Sequence, residues 1–230
     1  MKLFEAHNIA ASYPRPQGAL PLFSDVNFSL EAGGIYDLVG PSGAGKSTLL
    51  RICAHMLARD AGELYLDGQK SESFEPTKWR ALVCLVPQKP SLVPGSVQEN
   101  LLLPWKLKVR ETQTLPTTDS LRHLLDEAEL ADVELQRDAT QLSGGQIARV
   151  ALLRVFVTQP RVLLLDEVDA ALDDASALAI SRLTKKLVAR NMACLRIRHR
   201  ASDGFATGTF SLGAGTLTYK AAPALEGQGC

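Results

Sequence analysis

Apolar and polar positions partly alternate over Leu3–Ile9 and again over Val26–Leu30, the period-two pattern of half-buried strands. Between them, Pro14, Pro16, Gly18 and Pro21 read as a loop. Gly33-Gly34 then turns the chain into Ile35-Tyr36-Asp37-Leu38-Val39, a short predicted strand. Next, Leu49, Ile52, Cys53 and Met56 recur at helical spacing and predict a helix with one apolar face. Glu63–Gly68 reads as a strand ending in a turn, and Leu82–Val86 as another strand, stopped by Pro87.

From about residue 90 to 145 helical spacing takes over. The pattern predicts helices over Val97–Leu103 and Ser120–Glu129, with Leu121, Leu124 and Leu125 on one face. The Thr-rich stretch Arg110–Asp119, with Pro116, reads as a flexible connection. A helix resumes over Ala148–Val157. The nearly continuous apolar run Arg161–Asp166 is what a strand covered on both faces looks like. A helix over Ala175–Arg190, a strand over Cys194–Arg198 and a hairpin around Gly213-Ala214-Gly215 follow, with Ala221–Cys230 expected to fray. Strands before and after a helical insertion argue for an α/β domain with a mostly parallel sheet.

A length of 230 residues fits one large domain, or one domain with a sub-domain. Apolar residues are 46% and charged residues 22%, as in ordinary globular chains. The 25 Lys and Arg balance the 25 Asp and Glu, which weighs against a strongly basic nucleic-acid binder. No run reaches the length of a membrane-spanning helix, and Met1–Glu5 lacks the apolar stretch of a secretory leader. Work at a membrane is therefore expected to go through a partner. Cys53, Cys84, Cys194 and Cys230 form no CxxC pair, so reduced thiols are expected.

Chemistry concentrates in three places. Gly40-Pro41-Ser42-Gly43-Ala44-Gly45-Lys46-Ser47 matches the phosphate-binding loop pattern GxxxxGK[ST], between a predicted strand and a predicted helix. Its glycines let backbone N–H groups curl around phosphate oxygens, and the following helix points its partly positive end at the anion. Lys46 would set an ammonium against the β- and γ-phosphates, and Ser47 a hydroxyl against Mg²⁺. Leu163-Leu164-Leu165-Asp166-Glu167 puts two carboxylates at a strand end: Asp166 as the metal residue, Glu167 to orient or activate the attacking water. Leu142-Ser143-Gly144-Gly145-Gln146 precedes a helix and forms a second anion-seeking helix start. Two such starts in one chain suggest a site built from two pieces.

Together these residues resemble the nucleotide-binding domain of the ATP-binding cassette (ABC) superfamily, over essentially the whole chain. The ordered set is the P-loop (Gly40–Ser47, with Thr48 following), the glutamine loop (Gln88), the signature (Leu142–Gln146), the Walker B strand (Val162–Glu167), the D-loop (Ala171-Leu172-Asp173) and a switch histidine (His199). The resemblance implies an α/β P-loop NTPase fold: a RecA-like core with an antiparallel β sub-domain, about 1–89 and 158–220, and an inserted α-helical sub-domain, about 90–157. It implies ATP and Mg²⁺ as ligands, and a second cassette paired head to tail as a homodimer in the ATP state. Ser143, Gly144, Gly145 and Gln146 would act on the partner's ATP. Gln88 would reach Mg²⁺ or water and report to a membrane partner. His199 would contact the γ-phosphate, and Asp173 would couple the two sites. Tyr13 stands where the family stacks an aromatic on adenine, though a loop tyrosine can equally pack on the core.

Several positions depart from the family pattern. Arg200 follows His199 where an acidic residue is common, and Leu195-Arg196-Ile197-Arg198 alternates with arginines. Ala148 replaces a common polar residue. Asp37 is unusual in the strand before the P-loop, and either binds a backbone group or faces solvent.

A single cassette without membrane spans resembles a bacterial transporter subunit, held by an integral membrane permease subunit on the cytoplasmic, inner face of the cell membrane. The wording of Gly95–Trp105 (ENLLLPW at its end) resembles the iron-efflux type, and this region is where the family docks its membrane subunit. Leu101–Leu103 and Trp105 equally suit a sub-domain core. The alternative is a soluble, non-transport ATPase switch acting on nucleic acid or a protein complex. The small basic group Lys106, Lys108 and Arg110 gives it little support, and no nucleic-acid partner is expected.

Overall fold

A computed structural model describes residues 2–15, 18–189 and 191–223. Among these described residues, ten strands form two sheets. Strands β1 (Lys2–Arg15), β2 (Gly18–Glu31), β4 (Ala61–Leu66) and β5 (Gln69–Lys70) make an antiparallel sheet in the order β2-β1-β4-β5. Strands β3 (Ile35–Val39), β6 (Val83–Val86), β7 (Val162–Asp166), β8 (Ala193–Ile197), β9 (Gly208–Gly213) and β10 (Thr216–Ala221) make the second, in the order β10-β9-β3-β8-β7-β6. It is parallel except for the closing β9–β10 hairpin. The mostly parallel sheet is the one that the pattern implied, and the antiparallel sheet is the one that the resemblance implied.

Every residue of β7 and β8 is buried, because both faces of the parallel sheet are covered. Alternation sorts the side chains. Leu164, Leu195 and Ile197 face a cluster shared with helix α1 (Lys46–Cys53) and the antiparallel sheet. Leu163, Leu165 and Cys194 face one shared with α3 (Val97–Leu102), α4 (Thr118–Glu127), α5 (Gly144–Phe156) and α6 (Asp174–Val188). The helices between β6 and β7 thus bury their apolar faces against each other and against the sheet.

Some local expectations change. The proline-punctuated stretch after Ser12 is not a loop but an arm of the β1–β2 hairpin, with Tyr13 paired to Leu20 and Pro14 to Ala19; residues 16–17 lie outside the described residues. Beyond Ala10 the arm has no third strand beside it and β2 is the sheet edge, where a proline's missing N–H is tolerated. Met56 falls beyond the end of α1 and is exposed. The helix α2 (Pro76–Leu82) was not expected. It is anchored by Trp79, which is fully buried and donates its indole N–H to the Cys53 carbonyl at 2.9 Å. Helix α5 begins at Gly144, four residues ahead of the predicted start, because Ser143 caps it. Ala221 closes β10 rather than fraying, and 224–230, with Cys230, lie outside the described residues, as does Arg190 at the predicted end of α6. Among the described residues no helix is long and apolar enough to cross a membrane.

Candidate functional site

The C-terminal ends of β3, β6, β7 and β8 lie side by side, and each leads into predicted site residues. Open parallel sheets bind ligands at this edge. After β3 comes Gly40–Ser47. Gly40 sits at φ 148 against the Leu212 carbonyl, and Gly45 at φ 97 with the Phe23 ring 2.9 Å from where a Cβ would stand. Both positions require glycine, for backbone angle and for space. Lys46 is 6% exposed and its Nζ donates to the carbonyls of Gly40 (2.9 Å) and Pro41 (3.1 Å), so its charge is held at the mouth of the loop. Pro41, Ser42 and Gly43 are exposed around that mouth, with Ala44 half-buried, and Thr48 continues α1.

Two contacts tie the loop to the other strand ends. Ser47 Oγ donates to Asp166 Oδ1 at 2.8 Å, 119 residues away in sequence. Asp166 is 4% exposed, and this hydroxyl is the partner that makes its burial tolerable. Beside it, Glu167 takes a positive φ of 51, which costs roughly 1 kcal/mol. Its two oxygens have separate partners: Gln88 Nε2 donates to Oε2 at 2.9 Å, and His199 Nε2 lies 2.8 Å from Oε1. Facing a carboxylate, Nε2 is the nitrogen that carries the hydrogen.

The structure therefore brings together Lys46, Ser47, Gln88, Asp166, Glu167 and His199. It leaves the signature residues elsewhere. Ser143 accepts from Gln146 N (3.3 Å) and its own N–H donates to Gln146 Oε1 (3.0 Å), a reciprocal cap on α5. Ser143 and Gly144 are exposed, while Gly145 is buried against the side chain of Ser176 on α6. Among the described residues no hydrogen bond or ion pair joins Ser143–Gln146 to Gly40–Ser47. Asp173 caps α6, and the N–H and hydroxyl of Ser176, both at 2.9 Å, hold its carboxyl below the usual range. Tyr13 projects from the hairpin arm, 57% exposed, outside the hydrogen-bonded group.

A set of charged residues next to the site went unrecognised in the sequence. Asp37 neither faces solvent nor binds backbone: its Oδ1 accepts from Arg196 Nε at 2.6 Å, with both side chains buried. Arg196 also donates to Asp203 (2.8 Å), while Arg198 pairs with Asp203 (2.5 Å) and Asp169 (3.4 Å). Burial alone would raise the Asp203 carboxyl, but the Arg196 guanidinium and the Phe205 N–H hold it at about 2. The signal was present: charges at 37 and 196 inside buried strands, and at 198 just past the end of one, must find opposite charges. Ala148, the other departure, is buried in the helical cluster.

The oxygen pair Ser47–Asp166 suits a hard cation. Its 2.8 Å spacing is close to that of neighbouring ligands in an octahedron with bonds of about 2.1 Å. Among the described residues no three His, Cys, Asp or Glu side chains gather to hold a metal, so such an ion would need phosphate oxygens as well.

Comparison with known proteins gives the family. The family model described as ABC transporter matches residues 23–170. The probable iron export ATP-binding protein FetA of Escherichia coli is 33% identical over 183 residues, 79% of this chain and 80% of that protein. The phosphate import ATP-binding protein PstB of Tropheryma whipplei is 34% identical over 80% of this chain and 74% of its own. An ATP-binding cassette solved as a dimer in a post-hydrolysis state with ADP and Pi superposes with a TM-score of 0.79 at 26% identity, covering 95% of this chain and 98% of that one.

Proposed function

This chain belongs to the ABC transporter family and is an ATP-binding, ATP-hydrolysing transporter subunit, and on that premise we propose that Lys46, Ser47, Gln88, Asp166, Glu167 and His199 form its hydrolysis centre. The observation that supports this most is the two-sided grip on Glu167 by Gln88 and His199, next to the Ser47–Asp166 pair. Backbone N–H groups of Gly40–Ser47 and the start of α1 bind the phosphates, and Lys46 turns its ammonium from the loop carbonyls to the β- and γ-oxygens. Ser47 and Asp166 would hold Mg²⁺, which neutralises phosphate charge when bound. Glu167 accepts the proton of the attacking water. Gln88 and His199 keep its carboxylate aimed, and His199 would turn to the γ-phosphate oxygens once ATP is bound.

The exposed start of α5 supports action in trans: Ser143 offers its hydroxyl, and Gly144 and Gly145 their backbone N–H groups, to ATP held by a second copy, with Gln146 closing the cap that shapes this start, so two ATP are closed between two P-loops. In this reading 90–157 is the signature-bearing lobe and 1–89 with 158–220 the ATP-bearing one, and Tyr13 stacks on adenine from the hairpin arm. The chain works at the cytoplasmic face of a membrane through a permease subunit. A surface after the glutamine loop suits that partner: Leu101 belongs to the core, but Leu102, Leu103 and Trp105 are only half-buried and Val93 and Leu107 are exposed. Asn100, fully buried, shapes that segment by bonding both the N–H and the carbonyl of Val93. Iron export is the substrate to test first, on the likeness to FetA over most of both chains.

Purified protein assayed for phosphate release, wild type against Glu167→Gln, tests the centre. ATP binding kept with turnover lowered at least about 100-fold is expected; unchanged turnover overturns the role of Glu167. Mild-detergent capture with the Glu167→Gln variant and Mg-ATP is expected to bring down a multi-span membrane protein. Recovery of only soluble partners or nucleic acid overturns the transporter partner.

A further inference from the structure

We propose that Arg200 is a positioning residue of the ATPase, a clamp that locks the turn carrying Asp173 to the His199 segment and so keeps Glu167 and His199 in reacting register. The assignment rests on the hydrolysis centre proposed for Lys46, Glu167 and His199.

One guanidinium makes three separate contacts here. Arg200 Nε donates to the Asp169 carbonyl at 3.3 Å, Nη2 donates to the Leu172 carbonyl, and Nη1 pairs with the Asp174 carboxylate at 2.5 Å. These acceptors straddle the turn between β7 and α6 and bracket Asp173. Two of them are main-chain oxygens, so the clamp fixes backbone rather than side chains. A planar fork with five donors can span such a turn, whereas an ammonium cannot bind all three points at once. The Asp174 end is fully exposed and contributes little; the carbonyl contacts carry the clamp.

The contacts close a ring. His199 touches Glu167 at 2.8 Å; the chain runs from Glu167 to Asp169; the Asp169 carbonyl accepts from Arg200; Arg200 is covalently next to His199. Inside this ring sits Glu167 at φ 51, a conformation that persists only when its surroundings dictate it. A second arginine works two residues earlier, since Arg198 pairs with the Asp169 side chain at 3.4 Å. Arg198 and Asp169 are both buried just past the ends of β8 and β7, so their loss would threaten folding. Arg200 is 26% exposed at its side chain and lies past the end of β8. The α6 cap from Asp173 and the Arg196–Asp37 pair do not depend on it. Removing Arg200 therefore loosens the ring without unmaking the fold, and small displacements of a catalytic group lower a rate steeply.

The test compares kcat and KM for ATP, with thermal melting, in wild type, Arg200→Ala, Arg200→Lys and Glu167→Gln. For Arg200→Ala, kcat is expected to fall about 10-fold or more while KM stays within about 3-fold and the melting temperature barely moves. Arg200→Lys is expected to recover part of kcat, because an ammonium can still reach one or two carbonyls. Wild-type kcat in Arg200→Ala beside an inactive Glu167→Gln overturns the clamp alone. A parallel loss of kcat and ATP affinity with a lowered melting temperature also overturns it, by showing a merely structural role. Full turnover in Glu167→Gln overturns the hydrolysis centre and the clamp with it. Should Arg200→Ala not fold, Arg200→Lys decides: lowered kcat at constant KM supports the clamp, and unchanged kcat overturns it.

Discussion

Arg196 and Asp37 stand at matching positions of neighbouring parallel strands, β8 and β3, with Nε 2.6 Å from Oδ1 and both side chains buried. Strand β3 leads directly to Gly40 of the P-loop, and β8 directly to His199. A charge-assisted bond between them sets the relative height of the two strand ends where the phosphate-binding loop and the histidine emerge.

Removing Arg196 leaves Asp37 buried without its partner, whereas removing Asp37 leaves Arg196 its bond to Asp203. Arg196→Met is expected to destabilise the protein by about 3–5 kcal/mol, and Asp37→Asn by less. Combining Arg196→Met with Asp37→Leu should recover part of that loss, since neither charge then remains. Urea unfolding midpoints of the three variants measure both effects.

Asp203 makes stability fall in acid. Its carboxyl is held at about 2 against an ordinary 3.8, so the folded state binds that proton more weakly than the unfolded chain. The contribution, on the order of 2 kcal/mol, is fully present above about pH 4 and lost as pH falls from there toward about 2. Urea midpoints taken between pH 5 and pH 2 should drop more steeply for wild type than for Asp203→Asn, which starts lower and lacks this term.

Ser143 has two separable duties. As the cap of α5 it contributes about 1 kcal/mol, which Ser143→Ala should lose in an unfolding experiment. If its exposed hydroxyl also serves ATP held by a second copy, phosphate release should fall by more than about 10-fold while ATP binding to the single chain is kept. A loss of stability with full turnover would reduce Ser143 to a cap.

Burial pushes the thiols of Cys53 and Cys194 up to about 12 and that of Cys84 to about 11. Almost no thiolate exists at neutral pH in any of the three. Iodoacetamide labelling of the native protein at pH 7.5, followed by peptide mapping, should leave all three unmodified, and labelling in urea should modify them.

The elements most legible in the sequence were those whose signal is local. Ile35–Val39, Gly40–Ser47, the run ending at Asp166 and Glu167, and the helix start at Leu142–Gln146 are each written in contiguous residues, because strand burial and phosphate cradling act over a few positions. The β1–β2 arm and α2 were not legible. Cross-strand pairing overrode Pro14 and Pro21 in the first, and a single buried tryptophan, Trp79, anchored the second.

Sequence alone determined the fold class, the order of the ATP-binding segments and the chemical types in them. It also determined that two anion-seeking helix starts exist in one chain. Only the tertiary structure decided what meets what. Gln88, Glu167 and His199 are spread over more than a hundred residues and converge because four parallel strands end at one edge. The partners of Asp37, Arg196, Arg198 and Arg200 likewise exist only once β3, β7 and β8 lie in register. A charge in a strand announces that it needs an opposite charge, but side-chain periodicity carries no information about which distant segment supplies it.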